Sequence, residues 1–384
     1  MIDLTELMTP WSYHEEAYRE SLRQRRREET GIVYDVVFVP PHSSKLLNTD
    51  ARVLIAATST GYLHVYILET REFWEERPSK IDHLDPVLSL YAHHSRVYTV
   101  CFVSDRENPL VISGSDHEIC VWKWHDIVAL AQTSQRARDT GTLVPTTWYV
   151  PRTTTERGGV LPYYEINAME WSTHVPNALW VAGGDTNAYE WDIAVEKPVR
   201  TYQGHQAYLH DISYTHYTQQ VITASEDGTI GIWDRRSEKA LRYLSPKLEN
   251  GFVRTIAIDT SSRWLACGGG SGDSGFWSLW HLPTFLPVHQ ELVDHHVHST
   301  SFLTNTLLSV GNDDCIRRWN VPSCSLMSAT ISTNRVCHQF CVVDPSTRMI
   351  ATGGDSNSID IHLIPGVISF SLCANSFRAK RRVN

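Results

Sequence analysis

The sequence has no long hydrophobic run, no CxxC pair and no excess of positive charge. No apolar stretch approaches the ~20 residues needed to span a bilayer. The N-terminus lacks the charged-then-apolar layout of a secretory signal. Eight cysteines are scattered along the chain, several inside apolar runs. That is the pattern of reduced core thiols, not of a disulfide framework. Lys and Arg number 34 against 43 Asp and Glu, a formal net charge of −9. Wholesale polyanion binding is therefore not expected, and nucleic acid would need a local basic patch. These absences predict a soluble protein of the cytosol or nucleus.

What is present is a segment that recurs. A small-residue turn leads into a short apolar run that ends in an aromatic. The clearest copy is Thr223-Ala224-Ser225-Glu226-Asp227-Gly228-Thr229-Ile230-Gly231-Ile232-Trp233-Asp234. Relatives end at Tyr66, Trp122, Trp191, Trp280 and Trp319, and at His362 with the aromatic replaced. The spacings are 56, 69, 42, 47, 39 and 43 residues. A period of about 40–45 residues with a Trp-Asp signature resembles the WD-repeat propellers. The expected fold is all-β: a seven-bladed WD40 β-propeller with a short N-terminal helical extension.

The expected organisation is an N-terminal helical extension (1–31), a propeller (32–373) with an insertion loop (126–162), and a basic C-terminal tail (374–384). His14 to Glu29 carries five acidic and five basic residues without Gly or Pro. Glu15 and Arg19 are four apart, which places both on one helix face. A helix over about Tyr13 to Glu28 is read there. Apolar runs from Val33 to Leu372 divide into seven sets of strands, with blade seven and blade one each owning four. Closure by blade-to-blade packing is predicted. The insertion is rich in Thr, Arg and Pro; Asp126 to Arg138 reads as a short helix and the rest as a surface loop.

A blade packs against two neighbours, so its strands are buried on both faces and read as apolar runs. The Trp that closes the third strand needs an acceptor for its indole N–H once buried. In the WD family that chain runs from Trp to Ser or Thr, to His, to an Asp in the hairpin turn. Blade four matches it with Trp233, Thr223, His205 and Asp227. Blade two resembles it with Trp122, Ser113, His93 and Asp116, one residue shorter in the turn. Blade six keeps Trp319, Ser309 and Asp313 but has no Gly-His before them. These residues are read as structural tetrads, because they fall at repeat positions.

No catalytic, cofactor-binding or metal-ligating set is predicted. Gly272-Asp273-Ser274-Gly275 has the form of a serine-protease nucleophile motif, yet it occupies the position of a blade turn. The neighbouring glycines lack the Lys-Ser/Thr ending of a phosphate loop. His295, His296 and His298 fit a blade-connecting loop, with no ligand of another class nearby. Of the basic clusters, the one after Arg23 is interleaved with acids and reads as a solvated helix face. The tail residues Arg378, Lys380, Arg381 and Arg382 read as a possible nuclear-targeting signal or an idle soluble tail.

Beyond the generic repeat, the chain resembles the THO complex subunit 6 family. The words that carry the resemblance are Glu165-Ile166-Asn167-Ala168, Ala182-Gly183-Gly184-Asp185, and Ser225-Glu226-Asp227-Gly228 with Ile232-Trp233-Asp234. Trp264-Leu265-Ala266-Cys267-Gly268-Gly269-Gly270 followed by Leu279-Trp280-His281-Leu282 is the most distinctive. Ser369-Phe370-Ser371-Leu372 closes the match. The resemblance implies a nuclear, non-enzymatic scaffold subunit of the THO part of the transcription–export complex, acting in mRNP assembly and mRNA export. It implies docking on other THO subunits, which are helical and elongated. RNA contact is indirect or weak, and no membrane or small-molecule substrate is implied. The alternative is a substrate receptor of a cullin–RING ubiquitin ligase. Its support is a WDxR motif, Trp233-Asp234-Arg235-Arg236, in which Trp233, Asp234 and Arg236 would dock the ligase adaptor.

Overall fold

The computed structural model describes residues 31–374, apart from segments 45–51, 69–82, 105–106, 138–142, 151–152, 155–159, 162–163, 238, 247–250, 332–337 and 365–366. The reading of a helix over Tyr13 to Glu28 and the reading of the basic tail fall outside these residues.

Among the described residues seven blade sheets follow one another along the chain, each built on four antiparallel strands, and a separate two-stranded sheet pairs Thr153–Thr154 with Val160–Leu161. Blade four shows the plan. Leu209–Thr215, Gln220–Ser225, Ile230–Asp234 and Ala240–Leu244 pair in that order from the inside outward. The second and third strands are mostly apolar and buried, as sheets covered on both faces require, while the innermost strand also carries the half-buried His210, Asp211 and Ser213. The fourth strand is largely exposed. A tight turn over Asp227 and Gly228 joins strands two and three. Gly228 sits at φ +79°, and a Cβ there would come 2.5 Å from the Gly251 carbonyl.

The first strand of each blade packs on the first strand of the next, and that of blade seven packs on blade one, so the ring closes on itself. In six blades a bulge interrupts the pairing of strands one and two. In four of these blades the residue after the bulged position then bonds into the neighbouring blade. Asp35 accepts from Val100 N at 2.9 Å and Thr99 Oγ1 at 3.0 Å. Asp211 accepts from Ile256 N at 2.8 Å, Thr255 Oγ1 from Thr300 N at 3.1 Å, and Ser299 Oγ from Cys341 N at 3.1 Å. Asn167 Nδ2 does the same work for blades three and four by donating to the Leu209 carbonyl at 2.7 Å.

Two features differ from the sequence reading. Ring closure is not by packing alone. His83–Leu84, from the connection between strands three and four of blade one, adds a parallel fifth strand to the outer edge of blade seven. Tyr66 of blade one also donates its hydroxyl to the Cys373 carbonyl of blade seven at 2.9 Å. The 126–162 segment, read as a loop, holds more than a helix over Trp124–Ala137. Thr146–Tyr149 returns to pair with Glu118–Lys123 as the outermost strand of blade two. Trp148 fixes it, buried and stacked on Trp191 of blade three with ring centroids 5.7 Å apart.

Candidate functional site

The polar network of blade four is complete. Trp233 Nε1 donates to Thr223 Oγ1 at 2.9 Å, Thr223 Oγ1 meets His205 Nε2 at 2.7 Å, and His205 Nδ1 meets Asp227 Oδ2 at 2.8 Å. Burial opposes ionisation of Asp227. Hydrogen bonds from His205, Thr229 and the Gln206 N–H outweigh it and hold the carboxyl below its ordinary range. Both ring nitrogens of His205 are committed and the residue is buried. A general base needs a nitrogen open to substrate, so this pair serves the architecture. Gly231 makes the close approach possible: a Cβ there would lie 2.7 Å from both His205 Nε2 and Thr223 Oγ1.

Blade two departs from the sequence reading. His93 Nε2 meets Ser113 Oγ at 2.9 Å, but the acid on His93 Nδ1 is Glu118 Oε1 at 2.8 Å, not Asp116. Asp116 accepts from Ser95 Oγ instead. The turn is one residue shorter here, so Asp116 falls short of the imidazole, and the longer Glu118 reaches it from the strand. Trp122 Nε1 stands 3.5 Å from Ser113 Oγ, a much weaker bond than in blade four.

In blade six, Trp319 Nε1 donates to Ser309 Oγ at 2.8 Å, while Asp313 pairs with Arg317 at 2.7 Å. In blade seven His362 replaces the tryptophan, and its Nε2 still meets Thr352 Oγ1 at 3.0 Å. The Gly272-Asp273 pair forms the two-residue tip of the hairpin that pairs Ser271 with Ser274, and Ser274 is exposed. His295, His296 and His298 do not converge. They bond to Asp294, the Gly272 carbonyl and the His338 carbonyl.

One ionic network was not anticipated. Glu190, 1% exposed, accepts from Arg200 Nη1 at 2.9 Å, Tyr202 hydroxyl at 3.0 Å and Arg235 Nη2 at 2.6 Å. The signal was a lone carboxylate inside the apolar run before Trp191. Arg235 therefore ties blade four to blade three. In the WDxR segment Trp233 is fully buried, whereas the Arg236 side chain is 73% exposed and forms a two-pronged pair with Asp234 at 3.0 Å on each prong.

Apolar surface lies on the outer edges. On the last strand of blade five, Leu286, Val288 and Leu292 are 60%, 52% and 66% exposed; on that of blade six, Leu326, Met327 and Ile331 are 48%, 50% and 69% exposed. The outer strands of blades one to four also expose apolar side chains, among them Tyr91, Tyr149, Val199 and Leu241, but blades five and six carry three each on successive edges.

Comparison with known proteins agrees with this architecture. Residues 84–123 and 196–234 match the family WD40 (WD domain, G-beta repeat). The chain is 27% identical to THO complex subunit 6 of Arabidopsis thaliana, over 91% of this chain and 94% of that protein. It is 24% identical to THO complex subunit 6 of Homo sapiens, over 86% and 91%. The solved WD40 β-propeller domain of Doa1 superimposes with a TM-score of 0.60 at 17% identity, covering 87% of this chain and 93% of that one, a likeness of fold. The chain is thus a seven-bladed WD40 β-propeller homologous to THO complex subunit 6.

Proposed function

We propose that this chain is a non-catalytic scaffold subunit of the THO part of the transcription–export complex. It works in the nucleus, in mRNP assembly and mRNA export, by docking on other, elongated helical THO subunits. The observation that carries this reading is the exposed apolar surface on the outer strands of blades five and six. Edge strands with unpaired backbone groups and apolar side chains suit a protein partner. The relatives, matched over most of their length, supply the complex. RNA contact is at most indirect or weak, in keeping with the net charge of −9. Within this reading residues 1–31 and 374–384 are appendages to the propeller, and Arg378, Lys380, Arg381 and Arg382 serve nuclear entry.

The test is recovery of the tagged full-length chain from nuclear extract, with mass spectrometry of the proteins and hybridisation for polyadenylated RNA. The reading expects the other THO subunits together with polyadenylated RNA. Recovery without THO subunits contradicts it.

A second reading, substrate receptor of a cullin–RING ubiquitin ligase, is favoured by one observation. Arg236 is exposed and held in a fixed pose by Asp234, as an arginine offered to an adaptor must be. Trp233 is buried and has no part in such a contact. Adaptor binding that is lost in Arg236→Ala supports this reading; no adaptor binding by the unaltered chain removes it.

A further inference from the structure

We propose that His93, Glu118 and Cys120 of blade two form a zinc-binding site. His93 Nδ1, Glu118 Oε1 and Cys120 Sγ all lie within 4.8 Å of one another. The nitrogen stands 2.8 Å from the carboxylate oxygen and 3.7 Å from the sulfur. Ligand atoms about 2.0–2.3 Å from a tetrahedral zinc are separated by comparable distances, so small side-chain shifts complete the set. An imidazole, a thiol and a carboxylate are the donor types that zinc takes.

Cys120 is buried in the apolar core between blades one and two, and its position within the tetrad sets it apart from other core thiols. It stands opposite Ser113 on the neighbouring strand, and in blade four the residue opposite Thr223 is Gly231. At Gly231 a Cβ would collide with the polar network. In blade two a whole thiol occupies that place, and the Trp122–Ser113 bond is open to 3.5 Å against 2.9 Å in blade four. The sulfur otherwise meets only the Ala92 carbonyl at 3.5 Å and Thr147 Oγ1 at 3.8 Å. Blade two thus places a sulfur beside an imidazole and a carboxylate at the position where blade four has no side chain.

The rest of the tetrad then acts as support. With zinc on Nδ1, the ring carries its proton on Nε2 and donates it to Ser113 Oγ, which fixes the ring plane. Zinc binds the thiolate, so the metal displaces the Cys120 proton and one proton leaves for solvent as the bond forms. Glu118 is the entry side: its side chain is 18% exposed, that of His93 0%.

The experiment uses the full-length chain, made without a histidine tag and stripped with a chelator. Zinc is titrated calorimetrically at two pH values, and Co²⁺ is added as a spectroscopic probe. The proposal expects one tight equivalent, proton release, a rise in Tm, and a thiolate-to-cobalt charge-transfer band. Cys120→Ser should abolish the band and weaken zinc more than about tenfold. Cys120→Gly, which copies blade four, should fold and also lose the band. Absence of the band in the unaltered chain, or equal zinc affinity in Cys120→Ser, overturns the site. Binding that survives Cys120→Ser but is lost on changing His295 and His296 places the metal elsewhere and overturns it too.

Discussion

The Tyr66 hydroxyl donates to the Cys373 carbonyl at 2.9 Å, joining the first blade of the ring to the last. The bond spans nearly the whole chain in sequence and lies beside the short parallel strand His83–Leu84 on the same edge. Tyr66 is 1% exposed, so its hydroxyl has no water to fall back on. A closed ring depends on its seam. Tyr66→Phe removes the donor, keeps the ring packing and leaves the carbonyl short of one bond. A loss of about 0.5–1.5 kcal/mol is expected in chemical denaturation. An unchanged midpoint would mean that the strand His83–Leu84 and the apolar packing between blades one and seven secure the seam without this bond.

The second prediction concerns Asp227. Asp227→Ala leaves His205 Nδ1 with only the long contact to Thr229 Oγ1 at 3.3 Å, and about 1–3 kcal/mol of stability should go. The sign of its pH dependence follows from the lowered pKa. The contribution is present above the ordinary carboxylate range and is lost as pH falls through the folded-state value. Asp116→Ala in blade two should cost less than Glu118→Ala, because Glu118 holds the histidine. Equal costs measured by thermal unfolding would contradict that assignment.

The third prediction separates two adjacent arginines. Arg235→Ala removes one of two cations from the buried Glu190 and should destabilise the propeller by more than about 1 kcal/mol. Arg236→Ala touches an exposed pair and should leave stability close to that of the unaltered chain. A differential scanning comparison of the two variants decides it. A large loss in Arg236→Ala would assign that residue a structural role and weaken its candidacy as an adaptor contact.

The fourth concerns the acids on the innermost strands. Burial, opposed by backbone N–H donors, pushes Asp35 up to about 6 and Asp211 to about 7. Burial and the nearby Asp211 push Glu170 to about 8. Raised carboxyl pKa values mean that the folded state holds these protons more firmly than the unfolded chain. Their contribution to stability is therefore greatest at low pH and is lost as pH climbs from the ordinary carboxylate range through 6, 7 and 8. Glu170→Gln should flatten the fall in Tm between pH 5 and pH 8. A slope identical to that of the unaltered chain would show that Glu170 does not titrate in this range.

Much of this architecture was readable from the repeat. Blade four shows its whole network in sequence, since His205, Thr223, Asp227 and Trp233 keep the family spacing. Blade two did not, because a turn shortened by one residue shifts the acid's role from Asp116 to Glu118, and only side-chain reach reveals the exchange. The outer strand Thr146–Tyr149 was hidden by the helix that separates it from its partner. His83–Leu84 is two residues long and pairs with the far end of the chain, which no local pattern can announce. Glu190 was visible as an anomaly, but its cations come from the next strand and the next blade. The cluster around Cys120 joins two residues of one strand, Glu118 and Cys120, to His93 in the loop before the blade, so only the folded chain brings all three together.

The central claim is that this propeller grips other THO subunits through the outer edges of blades five and six. Paired variants test it most directly: Leu292→Asp with Ile331→Asp, both on exposed positions where folding should be preserved. Nuclear complexes recovered through the doubly altered chain would be weighed and sequenced beside those of the unaltered one, after circular dichroism shows both folded. The account predicts that THO subunits and polyadenylated RNA fall away together while the propeller's Tm holds. Full retention of both, with the edges charged, would contradict it.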